Sequence, residues 1–354
     1  MNPGKSVGIG IIGCGTIACG THLPGLARLR NARVAGLADP DPRALERARR
    51  LIDAPVFATV DDLLAHDAID AVIISSPSAL HAGQVQAACA ASKHIYVEKP
   101  LAHDVASLAS IRSSIEDSTL VIAVGYNFRF HPACRVLRQR LAAGSIGSIR
   151  AIVSDFTEPF DALHGPAWKR ERALGGGVLL DLASHHIDLY RWLLQDELAW
   201  ISSDIRSLFF EQDSAYLRAG TRSGVELSGY FALTGGRSHG ITIHGSAAVL
   251  RLDFHSGQIT EDRIRPYGYG IRRRGISGGL EHLGWRARKL LRPSYNPSHG
   301  LALRAFVAAI ANPAQGTAEL ATAADGMAVL QAVLDAEVGA GSASSQQPAR
   351  PAGP

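Results

Sequence analysis

The residues with the clearest chemical potential open the chain, where Val7-Gly8-Ile9-Gly10-Ile11-Ile12 runs into Gly13-Cys14-Gly15-Thr16-Ile17-Ala18. This is a G-x-G-x-x-A turn with a strand-like apolar run before it and a helical segment after it. In such a turn Gly13 permits the tight bend, Gly15 lets the backbone approach a pyrophosphate, and the small Ala18 lets helix and strand pack closely. The N–H groups around Thr16 and Ile17 would face the phosphates, with the positive end of the helix dipole behind them. A second apolar run, Val34 to Ala38, ends in Asp39 at the distance where an acid accepts from both ribose hydroxyls of a dinucleotide. A carboxylate there repels a 2′-phosphate, and Pro40 rather than an arginine follows it, so the pattern favours NAD. Arg43, one turn into the next helix, keeps NADP open.

Two further groupings could act on a substrate. Glu98-Lys99-Pro100 closes another strand-like run, so Lys99 stands at the carboxyl edge of a parallel sheet, where such sheets bind ligands. Much later comes Gly175-Gly176-Gly177-Val178-Leu179-Leu180-Asp181-Leu182-Ala183-Ser184-His185-His186-Ile187-Asp188. Asp181 and His185 are four residues apart on a predicted helix beginning near Gly177, hence on one face, and Asp188 continues that face. Oxidising an alcohol requires hydride to leave carbon while a proton leaves oxygen. A neutral imidazole, with an unperturbed pKa of about 6.5, is suited to take that proton. A lysine can donate to the substrate oxygen and stabilise charge developing there. Taken singly, each group has a plainer reading: an ordinary strand end, or an Asp/His pair on a helix surface. His186 reads as a core or surface histidine, and His22, His66, His94 and His103 as structural or exposed.

In order and spacing, the glycine turn, the Glu-Lys-Pro triplet and the triple-glycine segment together resemble the glucose–fructose oxidoreductase / inositol dehydrogenase / rhizopine catabolism (Gfo/Idh/MocA) family, over roughly Val7 to Val338. The resemblance implies NAD(P)-dependent hydride transfer between nicotinamide and a hydroxyl-bearing carbon of a sugar, polyol or sugar derivative, and the basic segment 279–292 would suit an acidic or nucleotide-linked form. It implies Lys99, Asp181 and His185 as the catalytic group: His185 the proton acceptor, Lys99 the electrostatic and proton-relay partner, Asp181 the orienter and substrate ligand. It places Glu98 and Pro100 on the cofactor side, with the Lys-Pro bond often cis in relatives. Ser76, Pro77 and His81 would lie near the nicotinamide and ribose, and Asn127 and Arg129 at a domain junction, Asn127 as a cofactor contact and Arg129 as a substrate contact. The stretch His164 to Arg172 often closes over the substrate in relatives, which makes Trp168, Lys169 and Arg172 substrate contacts, although Trp168 could equally pack in the core. Ala183 stands where relatives often carry Gly. Two other functions stay open: an NAD-dependent glycosidase that oxidises, eliminates, adds water and re-reduces, and a non-catalytic NAD(P)-binding regulatory protein.

The elements that must position these residues can be read from pattern. Short apolar runs at Val7–Ile12, Arg33–Ala38, Ala71–Ser75, Ile95–Glu98 and Leu120–Val124 alternate with amphipathic segments, the signature of a parallel, doubly wound Rossmann sheet over residues 1–128. After Gly147 strand-like segments follow one another with short turns, at Trp200–Phe210, Ala215–Thr221, Val225–Leu233, Gly240–His244 and Val249–Phe254. They predict a largely antiparallel sheet over 129–338, ending in helices near Gly300–Ala311 and Ala323–Val338, and the resemblance implies an α/β domain in which that sheet is open. Residues 339–354, rich in Gly, Ser, Gln, Ala and Pro, are expected to be a disordered tail.

Composition bounds the rest. The 354 residues suffice for two domains, and 46% are hydrophobic. No apolar run approaches a bilayer span, no signal peptide is apparent, and four scattered cysteines match neither a disulfide framework nor a metal site. The expectation is a cytoplasmic protein with reduced thiols, no metal and no nucleic-acid partner, and the family resemblance implies pairing through the open sheet as a homodimer or homotetramer. The net charge of +4 concentrates in segment 271–292, at Arg272, Arg273, Arg274, Arg286, Arg288, Lys289 and Arg292. Residues 279–292 read as a basic amphipathic helix that would meet solvent, an anionic ligand or a membrane surface, without stable insertion.

Overall fold

The computed structural model describes residues 6–159, 165–264, 271–276, 279–291, 296–312 and 319–343. They fall into two compact units: Met1–Val136 with Ala173–Gly175 and Gly278–Leu330, and Leu137–Arg172 with Gly176–Ser277 and Gln331–Pro354. The division departs from the contiguous pair of domains read from the sequence, because residues 278–330 belong with the first unit.

In the first unit, β1 (Val7–Ile12), β2 (Ala32–Ala38), β3 (Val56–Phe57), β4 (Ala71–Ile74), β5 (His94–Val97) and β6 (Ile122–Val124) form a parallel sheet ordered 3-2-1-4-5-6, and the short β15 (Ala321–Thr322) adds antiparallel to β6. Every residue of β1 and of β4 is buried, as expected for strands covered on both faces. Helices α1 (Leu23–Leu26), α2 (Pro42–Arg49), α3 (Val60–Ala65), α4 (Ser78–Ala90) and α5 (Val105–Glu116) supply the crossovers, and α6 (Pro132–Ala142) follows the last parallel strand. The chain leaves β1 toward β2 on one side and returns to β4 on the other, which makes the carboxyl ends of β1 and β4 the topological switch point.

The second unit is built on an eight-stranded sheet ordered β14-β13-β12-β11-β7-β10-β9-β8. Its strands are β7 (Ile149–Thr157), β8 (Leu198–Arg206), β9 (Ser214–Thr221), β10 (Glu226–Ala232), β11 (Ser238–Gly245), β12 (Ala248–Asp253), β13 (Gln258–Ile264) and β14 (Ile271–Ile276). Only the central β7–β10 pair is parallel. Sequence reading missed β7, β13 and β14. The inward row of β7 carries Ser154 after Ile152, and β13 turns the fully buried Glu261 inward, where Arg140, Arg263 and Arg274 pair with it. A polar residue at a core position erases the apolar alternation that marks a strand.

The remaining helices are α7 (Ser184–Leu194), α8 (Gly279–Leu291), α9 (Ser298–Ala311) and α10 (Ala323–Ala343). α10 corrects the expected tail: residues 339–343 continue this helix, and residues 344–354 lie outside the described residues. The helix foreseen at 279–292 is present as α8, and Arg292 lies outside the described residues.

Candidate active site

The glycine turn has the geometry of a phosphate cradle. Gly13 takes φ +87°, which L side chains rarely adopt, and a Cβ there would stand 2.6 Å from the Ser76 amide. At Gly15 a Cβ would meet nothing within 4 Å, so the backbone is open to an incoming phosphate. Asp39 is fixed against this turn: Cys14 N–H donates to Oδ2 at 2.7 Å and Asp41 N–H to Oδ1 at 2.8 Å. Each carboxylate oxygen has a further acceptor site for a ribose hydroxyl. Burial, reinforced by the Asp39 charge, pushes the Cys14 thiol up to about 12, so no thiolate competes with a phosphate. Thr16 is exposed and Ile17 half-buried at the mouth of the turn. These residues fit a dinucleotide.

The end of β4 is tied to the same turn, because the Ser75 hydroxyl donates to Gly13 O at 2.8 Å. Ser76 donates to Gln84 at 2.5 Å, and Pro77 is exposed at the start of α4. His81 is buried, with Nδ1 2.7 Å from Pro100 O and Nε2 2.9 Å from Ser76 O. Burial lowers its pKa against the pull of those two carbonyls. His81 thus clamps the β4 loop to the Lys99-Pro100 turn, and its ring nitrogens face backbone rather than a ligand. The Lys99-Pro100 bond is cis.

Behind Lys99 lies a buried polar cluster that sequence reading did not assemble. After Gly15 the chain makes a π-helical turn, Ala18–His22, which turns the fully buried His22 inward. Its Nε2 is 2.9 Å from Glu98 Oε1, and Lys99 N–H donates to Glu98 Oε2 at 3.3 Å. Burial works to raise the Glu98 carboxyl, but the hydrogen bond and charge of His22, with His299 and Lys99 nearby, outweigh it and bring it to about 2. His299, from α9, is itself lowered to about 4, chiefly by burial. Asn127 donates to Ser298 Oγ at 2.7 Å and lies 3.1 Å from His299 Nε2, joining the cluster. Arg129 is 5% exposed and donates to Leu320 O and Asp325 Oδ2, so its cation is committed within the first unit and not presented as a substrate contact.

The second unit carries Asp181 and His185. Here the structure departs from a regular helix: Leu179–Ala183 is a π-helical turn closed by Ser184 N–H on Leu179 O, and α7 begins only at Ser184. Asp181 sits within the wide turn and His185 in the first turn of the helix, both half-buried. Such turns recur at functional sites because the extra residue re-aims side chains. Lys169 donates to Asp181 Oδ2 at 2.9 Å. The triple glycine explains that contact: Gly176 N–H donates to Glu171 O and Gly177 N–H to Lys169 O, and a Cβ at Gly176 would stand 2.4 Å from Lys169 O. Any side chain at Gly176 would push residues 169–171 away from Asp181.

Trp168 is half-buried with the Lys169 ammonium 5.8 Å from its ring centroid, so it is not a core residue. The Arg172 guanidinium is bidentate to Glu337 at 2.6 and 2.8 Å, and its backbone N–H donates to Glu211. His164 lies outside the described residues. His186 is fully buried among Phe156, Phe231 and Phe254, with Nε2 3.1 Å from His239 Nε2, and burial drops its pKa to about 3.

Known proteins are similar to this chain in sequence and fold. A family model described as an oxidoreductase family with an NAD-binding Rossmann fold matches residues 7–126, and the model of the GFO/IDH/MocA C-terminal domain matches residues 134–251. The chain is 32% identical over 269 residues to dTDP-3,4-didehydro-2,6-dideoxy-alpha-D-glucose 3-reductase of Streptomyces violaceoruber, covering 73% of each chain. It is 26% identical to inositol 2-dehydrogenase of Rhizobium meliloti (strain 1021), covering 90% of this chain and 92% of the relative. Among solved structures, the WlbA dehydrogenase from Bordetella pertussis in complex with NADH and UDP-GlcNAcA matches with a TM-score of 0.82 at 17% identity, over 97% of this chain and 98% of that one.

Proposed function

Because this chain belongs to the GFO/IDH/MocA family of NAD(P)-dependent oxidoreductases, we propose that it interconverts a secondary alcohol and a ketone on a nucleotide-linked or acidic sugar, with NAD as the preferred cofactor. The observation that carries this reading is the Asp39 carboxylate, anchored by two backbone amides beside the open Gly15, where a 2′-phosphate would meet a fixed negative charge. Gly13, Gly15, Thr16, Ile17, Asp39, Ser76, Pro77, Glu98, Lys99 and Asn127 hold or support the cofactor, and His81 acts by clamping the loops beneath it. The substrate class rests on the names of the relatives, a dTDP-sugar reductase and a dehydrogenase solved with UDP-GlcNAcA.

Lys99 donates to the substrate oxygen and stabilises the negative charge that grows there. His185 removes the hydroxyl proton during oxidation and returns it during reduction. Asp181, held by Lys169, orients the imidazole or accepts from a neighbouring sugar hydroxyl, and Trp168 and Lys169 flank the substrate. The nicotinamide, when bound, takes up or supplies the hydride. The reading includes reduced cytoplasmic thiols and assembly through the sheet face on which Val153, Trp200 and Tyr216 are exposed. Steady-state kinetics with NAD and NADP on dTDP- and UDP-sugars, uronates and inositols tests it. A higher kcat/KM with NAD on a nucleotide sugar or uronate is expected. Preference for NADP, or turnover of inositols alone, contradicts it.

A further inference from the structure

Among the basic residues of segment 271–292, Arg286 and Arg288 on α8 flank an outward apolar stripe. The helix is thirteen residues long, about 20 Å at 1.5 Å per residue. Among its described side chains His282 and Trp285 are buried: Trp285 packs edge-on against His131 at 4.8 Å and lies 5.7 Å from His282. At about 100° per residue, Leu283, Ala287, Leu290 and Leu291 lie within roughly 100° of one another on the opposite side. All four are exposed, Leu290 and Leu291 each at 86%. Arg286 falls on one flank of this stripe and the exposed Arg288 on the other, while the Lys289 ammonium lies 5.4 Å from the Trp285 ring. Counting the following Arg292, the segment carries four cations against Glu281 alone.

A leucine stripe facing water is unfavourable, and most exposed apolar patches of this kind meet a partner. Flanking arginines select the partner: they suit a surface that is apolar within and anionic at its rim. We infer that α8 is an interfacial anchor that lays its leucine stripe into the headgroup boundary of an anionic lipid bilayer, with Arg286 and Arg288 on lipid phosphates. No described helix is long and apolar enough to cross a membrane, so the attachment is peripheral. It goes beyond the redox reading, and none of its residues serves that reaction.

Co-sedimentation of the full chain with vesicles tests this. The protein should pellet with phosphatidylcholine–phosphatidylglycerol vesicles and remain in solution with phosphatidylcholine alone, and raised salt should release most of it. Each interfacial cation strengthens adsorption about fivefold, so Arg286→Glu/Arg288→Glu should weaken partition by roughly thirtyfold or more. Leu290→Asp/Leu291→Asp should abolish it, with melting temperature and NAD affinity unchanged in both variants. Failure of the wild type to pellet with anionic vesicles overturns the inference, as does wild-type partition by the leucine variant. So does a drop in sedimentation mass, without lipid, on Leu290→Asp/Leu291→Asp, because a second copy of the chain would then cover the stripe.

Discussion

Glu98 carries a charge where charge is expensive, and His22 is what makes it tolerable. Its folded pKa is depressed, so the stability it contributes is present above the ordinary carboxyl value of 4.5 and is lost as pH falls toward about 2. Replacing His22 by Leu removes the buried side-chain partner of that carboxylate, a loss of about 3–5 kcal/mol when one partner of a buried pair is removed. The acid limb of the melting profile of His22→Leu should therefore move to higher pH, and an unchanged limb would show that His22 does not sustain the charge. Lys169 admits a kinetic test. A hydrogen bond to a charged group is worth about 1.5–3 kcal/mol, so Lys169→Met should lower kcat/KM by roughly ten- to a hundredfold with NAD affinity intact. A wild-type rate would detach Lys169 from the chemistry. Asp39, Lys99, Asp181 and His185 could be singled out from sequence because each sits in a short motif of recognisable spacing. His22 looked structural and His299 gave no signal, since a lone histidine on an apolar helix says nothing about a carboxylate far away in the chain. For a related reason sequence marks Arg129 and Arg172 as cations but does not show the Asp325 and Glu337 that pair with them.

At the scale of elements, the two π-helical turns decide what faces inward. Sequence pattern located both helical segments but not their wide first turns, because a π turn changes hydrogen bonding without changing composition. From sequence, His186 read as a core or surface histidine; the structure buries it against His239 and three phenylalanines. His186→Asn should therefore lower the melting temperature by several degrees, as expected for a polar group put into an aromatic core. Turnover per folded molecule should survive. His185→Asn should do the reverse: keep the fold, cost a factor on the order of a hundred to ten thousand in rate, and flatten the acidic limb of alcohol oxidation. Equal effects of the two substitutions on rate would mean that the register of the Asp181–Asp188 segment is misassigned.

For the whole molecule, the Rossmann sheet was legible because its strands are buried on both faces and read as unbroken apolar runs. The second sheet was legible only where inward positions stayed apolar, and β13 was lost to Glu261. Buried neutral histidines shape the global response to acid. His131 and His186 are both lowered by burial from 6.5 to about 3. The folded state keeps them neutral while the unfolded chain protonates them, so stability holds above about pH 6.5 and falls as pH drops toward 3, by about 2 kcal/mol each at pH 5. Thermal melts across that range should show the decline, and a flat profile would mean these rings are not buried neutral. The central claim, net hydride transfer assisted by Lys99, is tested most directly by measuring reduced nicotinamide and oxidised sugar together in the wild type and in Lys99→Ala. The account predicts one reduced cofactor per oxidised sugar, and in Lys99→Ala a loss of turnover with NAD binding retained. Product formed with no net change in the cofactor, or wild-type turnover by Lys99→Ala, would contradict it.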